Sequence, residues 1–251
     1  MRSWISKVLI ACLLLPAAWA ETVQADEIQL ASELWPGHTN PDGTGLAWDV
    51  LRRVYEPEGI RLKIRSVPYS RSIGLVLRGE ADAWLGSYRD EVKGIHYPRW
   101  HYDADRVSAL SSASTPVPTL ATLGQYRLVW IRGYNYDRYL PNLKHFEEIQ
   151  RRSGILSMLD LGHVDFYIDA RTEVDDVLKS AADPSRYRIT PLMRLPLYLG
   201  FADTPRGHSL AEIFDQRMGE LVASGELRPL FQRWKQPYAF DKDLEKPHAA
   251  P

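Results

Sequence analysis

The chain has 251 residues, and its 31 Lys and Arg against 32 Asp and Glu give a formal net charge of −1 at pH 7. This length allows one or two domains of ordinary size. The balanced charge, without a long basic stretch, argues against nucleic acid or a membrane surface as the partner. We also expect no cofactor and no metal, because the sequence lacks phosphate-binding loops, dinucleotide-binding glycine motifs and zinc-protease motifs.

The first twenty residues have the pattern of a secretory signal peptide. Two basic residues precede an apolar run from Val8 to Leu15, and Ala18-Trp19-Ala20 has the small residues of a cleavage site. We therefore expect residues 1–20 to be removed and the mature protein to lie in the periplasm. Cys12, the only cysteine, would be lost with them, and 29 basic residues would remain against 32 acidic ones, a net charge of −3.

Further along the chain, apolar periodicity predicts alternating strands and helices. Strands are expected over 28–31, 61–67, 83–85, 107–111, 128–131, 166–168 and 197–202. Helices are expected over 46–55, 73–77, 156–161, 173–179, 210–222 and 227–234. The Ser-, Thr- and Pro-rich stretch 111–119 indicates a crossing between two lobes, and 197–202 the return crossing. Charge and proline after Trp234 indicate a flexible tail over 236–251.

A Gly-x-x-Asp motif occurs twice, each time between a helix and a strand. Gly79 and Asp82 form the first copy, and Gly162 and Asp165 form the second. Both residues of the second copy lie 83 positions after those of the first. A glycine just after a helix is typical of a helix C-terminus. The repeat predicts two similar α/β lobes. We place the first lobe at 26–110 with 203–235 and the second at 113–198.

Ligands of open α/β sheets bind beyond the carboxyl ends of the strands, so residues at the strand exits are candidates for a binding site. Aromatic side chains there can hold an apolar or cationic ligand, and they can equally pack within a lobe. The aromatic candidates are Trp35, Tyr69, Tyr88, Tyr134 and Tyr136. Ser87 can donate a hydrogen bond, and Arg71 and Arg89 can each bind a carboxylate or pair with acids on the surface.

The chain resembles the family 3 periplasmic solute-binding proteins, the polar amino-acid-binding components of ABC importers. The resemblance rests on short motifs that follow the family order over nearly all of the mature chain. They are Leu34-Trp35-Pro36, Asp42-Gly43 to Gly45, Trp48-Asp49-Val50-Leu51, Pro68-Tyr69-Ser70-Arg71, Gly79 to Ala83, Gly133-Tyr134-Asn135-Tyr136, Gly162 to Asp165 and Tyr198 to Ala202. The resemblance implies the type II periplasmic binding protein fold, with two α/β lobes joined by two crossing strands.

The resemblance also implies roles for single residues. Asp169 falls at the family position that often receives a ligand ammonium. Amino-acid-binding members carry a carboxylate-binding arginine about twelve residues after the Asp of the motif, and Gly94 stands there in this chain, next to Lys93. We expect Arg89, in the turn after its strand, to make the main cationic contact instead, with Arg71 second.

Three functions follow from these expectations. The leading one is binding of a small polar solute, such as an amino acid or a related compound, by a monomer that delivers it to an ABC permease. The second is a periplasmic receptor that presents its ligand to a membrane sensor. The third is an enzyme on the same scaffold that resembles cyclohexadienyl dehydratases, with Glu173 as a candidate acid in the cleft. We expect a binding protein rather than an enzyme.

Overall fold

The computed structural model describes residues 26–241. The predicted signal peptide and residues 242–251 of the predicted tail lie outside this range. The strands are β1 (Glu27–Ser32), β2 (Arg61–Ser66), β3 (Ala83–Ser87), β4 (Ile95–His96), β5 (Asp103–Ser112), β6 (Leu128–Ile131), β7 (Phe146–Ile149), β8 (Phe166–Ala170) and β9 (Tyr187–Ala202). The helices are α1 (Leu46–Tyr55), α2 (Tyr69–Leu77), α3 (Ile155–Asp160), α4 (Arg171–Leu178), α5 (Pro205–Ser224) and α6 (Arg228–Arg233).

The sheet consists of two halves with the same plan. In the first half, β1 lies between β2 and β3 and is parallel to both. In the second half, β6 lies between β7 and β8 and is parallel to both. Each half is completed by one antiparallel strand, β9 beside β3 and β5 beside β8. We call the two halves, with their helices, the first and second lobes.

The lobes are joined by β5 and β9, which pair with each other along the whole length of β5. β9 changes partner from β5 to β3 between Leu197 and Tyr198, within the segment predicted to be the return crossing. The other crossing differs from the prediction. β5 already pairs with β8 from Val107 onward, so the chain enters the second lobe before the Ser- and Pro-rich stretch, most of which forms a loop after β5.

The Gly-x-x-Asp motif has the same structural role in both lobes. Gly79 and Gly162 adopt the left-handed conformation, with φ of 71° and 65°, which glycine adopts without steric cost. Three residues later, the Asp82 carboxylate accepts a hydrogen bond from the backbone amide of Gln29 at 2.7 Å. Asp165 accepts one from the backbone amide of Arg127 at 2.8 Å. In each lobe the motif therefore fixes the new strand to the first strand of that lobe.

The core of the first lobe lies between the sheet and the helices α1, α5 and α6. The apolar face of α1 is buried, and α1 packs against both C-terminal helices. A smaller core in the second lobe lies under α3 and α4 and includes Leu110, Tyr167 and Val174. Within residues 26–241, no helix has the length and apolar character needed to cross a membrane.

The segment 236–241 corrects part of the predicted flexible tail. Phe240 is fully buried, and its ring stacks on His101 with the centroids 4.8 Å apart. It also contacts Phe231 and Tyr238 edge-on. Arg194 donates a hydrogen bond to the carbonyl of Ala239. The described part of the predicted tail is therefore packed against the first lobe and the crossing strands.

Candidate functional site

A cavity of about 50 Å³ lies where the two lobes meet. Both lobes and both crossing strands contribute to its wall. The first lobe provides Trp35, His38, Thr39, Ala47, Tyr69, Gly86 and Tyr88. The crossing strands and the residue before β5 provide Tyr102, Asp105 and Leu197, and the second lobe provides Tyr134, Asp169, Ala170, Thr172 and Glu173.

The cavity lies beyond the carboxyl ends of the parallel strands, as expected for an open α/β sheet. Trp35 follows β1, and Gly86 is near the end of β3. On the other side, Tyr134 follows β6, and Asp169 is near the end of β8. The N-termini of α2 and α4 lie at the same region, because Tyr69 at the start of α2 and Thr172 in the first turn of α4 line the cavity.

Hydrogen bonds connect the lobes around the cavity. Trp35 Nε1 donates to the hydroxyl of Tyr134 at 3.0 Å, and the hydroxyls of Tyr88 and Tyr136 lie 3.3 Å apart. Arg138 Nη1 donates to the carbonyl of Glu91 at 2.7 Å. Together these bonds hold the two lobes in a closed arrangement.

Aromatic rings form much of the cavity wall. The centroids of Trp35 and Tyr69 are 6.0 Å apart, and those of Tyr69 and Tyr134 are 5.7 Å apart with an edge-on geometry. The indole of Trp35 lies directly on Gly86, where an added Cβ would come within 2.4 Å of the ring. Only a glycine at this position leaves room for the indole in this place.

Carboxyl groups provide most of the polar wall. Burial raises the pKa of Asp105 to about 7, an effect opposed by the hydrogen bond from the Tyr88 hydroxyl at 2.8 Å and increased by the nearby Asp169. Burial also raises the pKa of Glu173 to about 8, although Arg152 opposes this shift. Burial raises the pKa of Glu33 in the first lobe as well. Several acids around the cavity therefore keep protons more readily than exposed acids do.

Arg152 is the basic residue of this cluster, and the sequence analysis missed it. Its guanidinium lies 3.1 Å from the carboxylates of both Asp169 and Glu173. It also donates to the hydroxyls of Tyr134 and Tyr167, each at 3.0 Å. Arg152 comes shortly after β7, a strand that the sequence analysis did not predict. A recognised strand there would have placed Arg152 at a strand exit.

A scan against protein-family models finds no match, and neither does a search of the curated proteins. Solved structures do match. The chain is similar to the substrate-binding protein of an amino acid ABC transporter, with 17% identity and a TM-score of 0.64 over 83% of this chain and 98% of that one. The fold is that of the type II periplasmic binding proteins. The predicted fold class is confirmed.

Two further solved structures extend this similarity. A histidine kinase sensor domain, described as similar to periplasmic binding proteins, has a TM-score of 0.69 and 14% identity over 84% of this chain and 96% of that one. The ligand-binding core of GluR0 from Nostoc punctiforme, in complex with L-glutamate, has a TM-score of 0.66 and 12% identity over 84% of this chain and all of that one.

Five of the nine residues singled out from the sequence line the cavity of this type II fold. They are Trp35, Tyr69, Tyr88, Tyr134 and Asp169. Tyr136 is fully buried behind the wall, where its hydroxyl contacts Tyr88. Ser87 is also buried, and its hydroxyl donates to the carboxylate of Glu91 at 3.0 Å. Tyr136 and Ser87 therefore support wall residues rather than form the wall.

The two predicted arginines lie elsewhere. Arg89 Nη2 donates to the carbonyls of Pro98 at 2.8 Å and Arg99 at 3.1 Å, and its guanidinium stacks on the ring of Tyr198 at 4.3 Å. Arg71 is exposed on α2 and does not line the cavity. The structure therefore gives Arg89 a role in holding the loop at 98–99, in place of the expected approach to a ligand.

Proposed function

We propose that the protein binds a small solute in the cavity between its lobes and that the closed, loaded form is recognised by a membrane partner. The observation that supports this most strongly is a cavity whose wall comes from both lobes, which are linked by two long crossing strands. A solute held there contacts both lobes at once. Binding energy can therefore favour the closed arrangement over an open one.

The ligand contacts that we propose are the five wall residues named above, together with Asp105, which the structure adds, and Glu173, which the sequence analysis named as a candidate acid in the cleft. Trp35, Tyr69 and Tyr88 supply aromatic faces from the first lobe. Tyr134 and Asp169 supply a hydroxyl and a carboxylate from the second lobe.

For the partner, we favour the permease of an ABC importer, with the protein exported to the periplasm after cleavage behind Ala20. One structural neighbour belongs to an amino acid ABC transporter and another is a histidine kinase sensor domain, so a membrane sensor is the alternative partner. Mass spectrometry of periplasmic material is expected to find an N-terminus at Glu21. Neighbouring genes for a permease or for a sensor kinase distinguish the two partners.

A thermal-shift screen tests the binding function. The protein is first unfolded and refolded to remove any retained ligand, and is then screened with amino acids, small carboxylates, polyamines and aromatic acids. A ligand at a hundred times its dissociation constant stabilises the folded state by about 2.7 kcal/mol. For a chain of this size, that shifts the melting temperature by about 5–10 °C. No shift with any compound, and no ligand released on denaturation, would refute the proposal.

An enzyme on this scaffold is the second candidate, because Glu173 lines the cavity and burial raises its pKa to about 8. A carboxylic acid that is protonated at neutral pH can act as a general acid if a substrate places its leaving group there. Turnover of prephenate or arogenate tests this. Loss of turnover in Glu173→Gln, with substrate binding retained, would favour the enzyme over the binding protein.

A further inference from the structure

Acidic side chains outnumber basic ones around the cavity. Three carboxyl groups line it, those of Asp105, Asp169 and Glu173. The guanidinium of Arg152 is already engaged by two of them, Asp169 and Glu173, each at 3.1 Å. The same guanidinium also donates to two tyrosine hydroxyls. Nε and Nη2 of Arg152 are therefore used within the protein, and a ligand carboxylate would have to compete with two acids for the guanidinium.

Asp105 is the carboxyl group that this network leaves without a charged partner. Its Oδ2 accepts a hydrogen bond from the Tyr88 hydroxyl at 2.8 Å. Among residues 26–241, no basic side chain forms an ion pair with it, and the like charge of Asp169 acts on it. Its other oxygen, Oδ1, has no hydrogen-bond donor in the described part of the chain. Asp105 lies on the crossing strand β5, at the boundary of the two lobes.

An acid of the protein also lies at each of the two helix N-termini at the cavity. Helix N-termini attract anions, because their backbone amides are free and the helix dipole is positive there. At α2, the backbone amide of Tyr69 donates to Glu33 Oε2 at 3.0 Å. Just before α4, the backbone amide of Ala170 donates to Asp169 Oδ1 at 2.8 Å. An anionic ligand would therefore meet a carboxylate at either helix.

Aromatic side chains form a large part of the remaining wall. Trp35, Tyr69 and Tyr88 all reach the cavity, and aromatic faces attract cations through the negative potential above their rings. A cation next to Asp105 would gain both the charge of the carboxylate and the potential of these rings. A neutral molecule of the same shape would gain neither.

We propose that the solute is a small organic cation, an ammonium, alkylamine or guanidinium compound, whose charged group binds against Asp105 between the aromatic side chains. This proposal rests on the proposed binding function and specifies its ligand. It differs from recognition of a ligand through its carboxylate, for which the described cavity provides no uncommitted cation.

Matched probes test the charge preference. Choline is compared with 3,3-dimethylbutan-1-ol, which replaces the charged nitrogen with carbon, and n-butylammonium and n-butylguanidinium are compared with n-butanol. Glutamate and propionate serve as carboxylate probes. Calorimetry and thermal shift on the refolded chain are expected to show binding of at least one cation, with its neutral counterpart about tenfold weaker or worse.

Asp105→Asn is expected to weaken binding of that cation about tenfold or more. The matched control is Asp203→Asn, because Asp203 is exposed and pairs with His208 away from the cavity. If Asp105→Asn does not fold, as judged by circular dichroism, Glu173→Gln is tested with the same probes. This variant is also expected to bind the cation more weakly than the parent.

The outcomes separate this proposal from the function on which it rests. Binding of glutamate, propionate or a neutral probe, without binding of any of the three cations, overturns the cationic ligand and leaves the binding function in place. Cation affinity that is equal in Asp105→Asn, Glu173→Gln and Asp203→Asn overturns the assigned position. Failure of every probe and of the wider screen counts against both proposals.

Discussion

Trp35 and Tyr134 follow the first strands of different lobes, and the indole Nε1 of Trp35 donates to the phenol oxygen of Tyr134 at 3.0 Å. Trp35→Phe keeps an aromatic ring and removes this donor. A neutral hydrogen bond contributes about 0.5–1.5 kcal/mol. We therefore expect the closed population, relative to the open one, to fall roughly two- to tenfold in Trp35→Phe.

Spin labels can measure this change. Cysteines at the exposed Lys63 and Lys144 report the distance between the lobes, and Cys12, the only native cysteine, lies in the predicted signal peptide. Tyr134→Phe is expected to shift the distance distribution in the same direction, and the double variant no further, because both changes remove the same bond between the lobes. The second bond that Tyr134→Phe removes, from Arg152, lies within the second lobe. Unchanged distances in Trp35→Phe would show that the bond does not contribute to closure.

The repeated motif gives a prediction for stability. Asp82 accepts a hydrogen bond from a backbone amide in the first strand of its lobe and forms an ion pair with Arg206. Asp165 accepts one from the amide just before the first strand of its lobe and forms an ion pair with Arg127. Replacing either aspartate with alanine is expected to lower the free energy of unfolding by about 1.5–3 kcal/mol. The two effects should add, because the sites lie in different lobes. Urea denaturation measures both, and Asp→Asn variants, which keep an acceptor, should lose less.

The success of the motif shows what the sequence could predict. A glycine at positive φ and an aspartate that bonds to a neighbouring strand act over a few residues, so their pattern is visible along the chain. The boundaries of α1 and β6 match the prediction, because α1 has a buried face with regular apolar spacing and β6 is a continuous, fully buried apolar run. These local patterns predicted two α/β lobes, and the resemblance, which rests on the order of short motifs, implied the type II fold.

Other features depend on contacts between distant residues, which the apolar periodicity of the sequence does not predict. β7 has the sequence Phe-Glu-Glu-Ile and is the edge strand of its half, so it lacks an apolar run, and Arg152 was missed with it. Arg89 was placed correctly after a strand, but the direction of its side chain depends on the loop at Pro98. Phe240 looked like part of a polar tail, because the ring of His101 that covers it is far away in sequence.

A pH dependence follows from the acids of the cavity. Burial raises the pKa of Asp105 from 3.8 to about 7 and that of Glu173 from 4.5 to about 8. Above pH 5 the unfolded chain has lost these protons while the folded protein keeps them. The free energy of unfolding should therefore fall as the pH rises from about 5, and it should level off above pH 7 to 8, where the folded protein has lost these protons too. His38, whose pKa burial lowers to about 4, acts in the opposite direction, and only below about pH 6.5.

Melting temperatures between pH 6.5 and 9 test this dependence. Asp105→Asn is expected to flatten the decline and to raise the melting temperature at pH 8.5 relative to the parent. Part of the decline should remain, because Asp103 also has a pKa of about 7 through burial. A cationic ligand should bind more tightly at pH 8 than at pH 6, since the acids then carry their charges. A melting temperature that rises from pH 6.5 to 8.5 would contradict the assignment.

Arg89 and Arg152 are expected to respond differently to alanine substitution. Arg89→Ala removes two hydrogen bonds to backbone carbonyls and the stacking on Tyr198. Because Arg89 does not line the cavity, the melting temperature should fall by a few degrees, while the dissociation constant of the ligand changes less than threefold. Thermal unfolding and calorimetry on the same preparation measure both quantities.

Arg152→Ala leaves the carboxylates of Asp169 and Glu173 without their cation, and breaking a buried ion pair costs about 3–5 kcal/mol. Loss of the guanidinium also removes the charge that opposes the raised pKa of Glu173, so that pKa should rise further. We expect a large loss of stability that becomes smaller at low pH, where Glu173 is protonated. Lysine at position 152 should restore part of the lost stability.

For Arg89, the contrary outcome would be loss of ligand binding in Arg89→Ala at unchanged stability. The ligand would then reach the turn after β3, and the site would extend beyond the cavity described above.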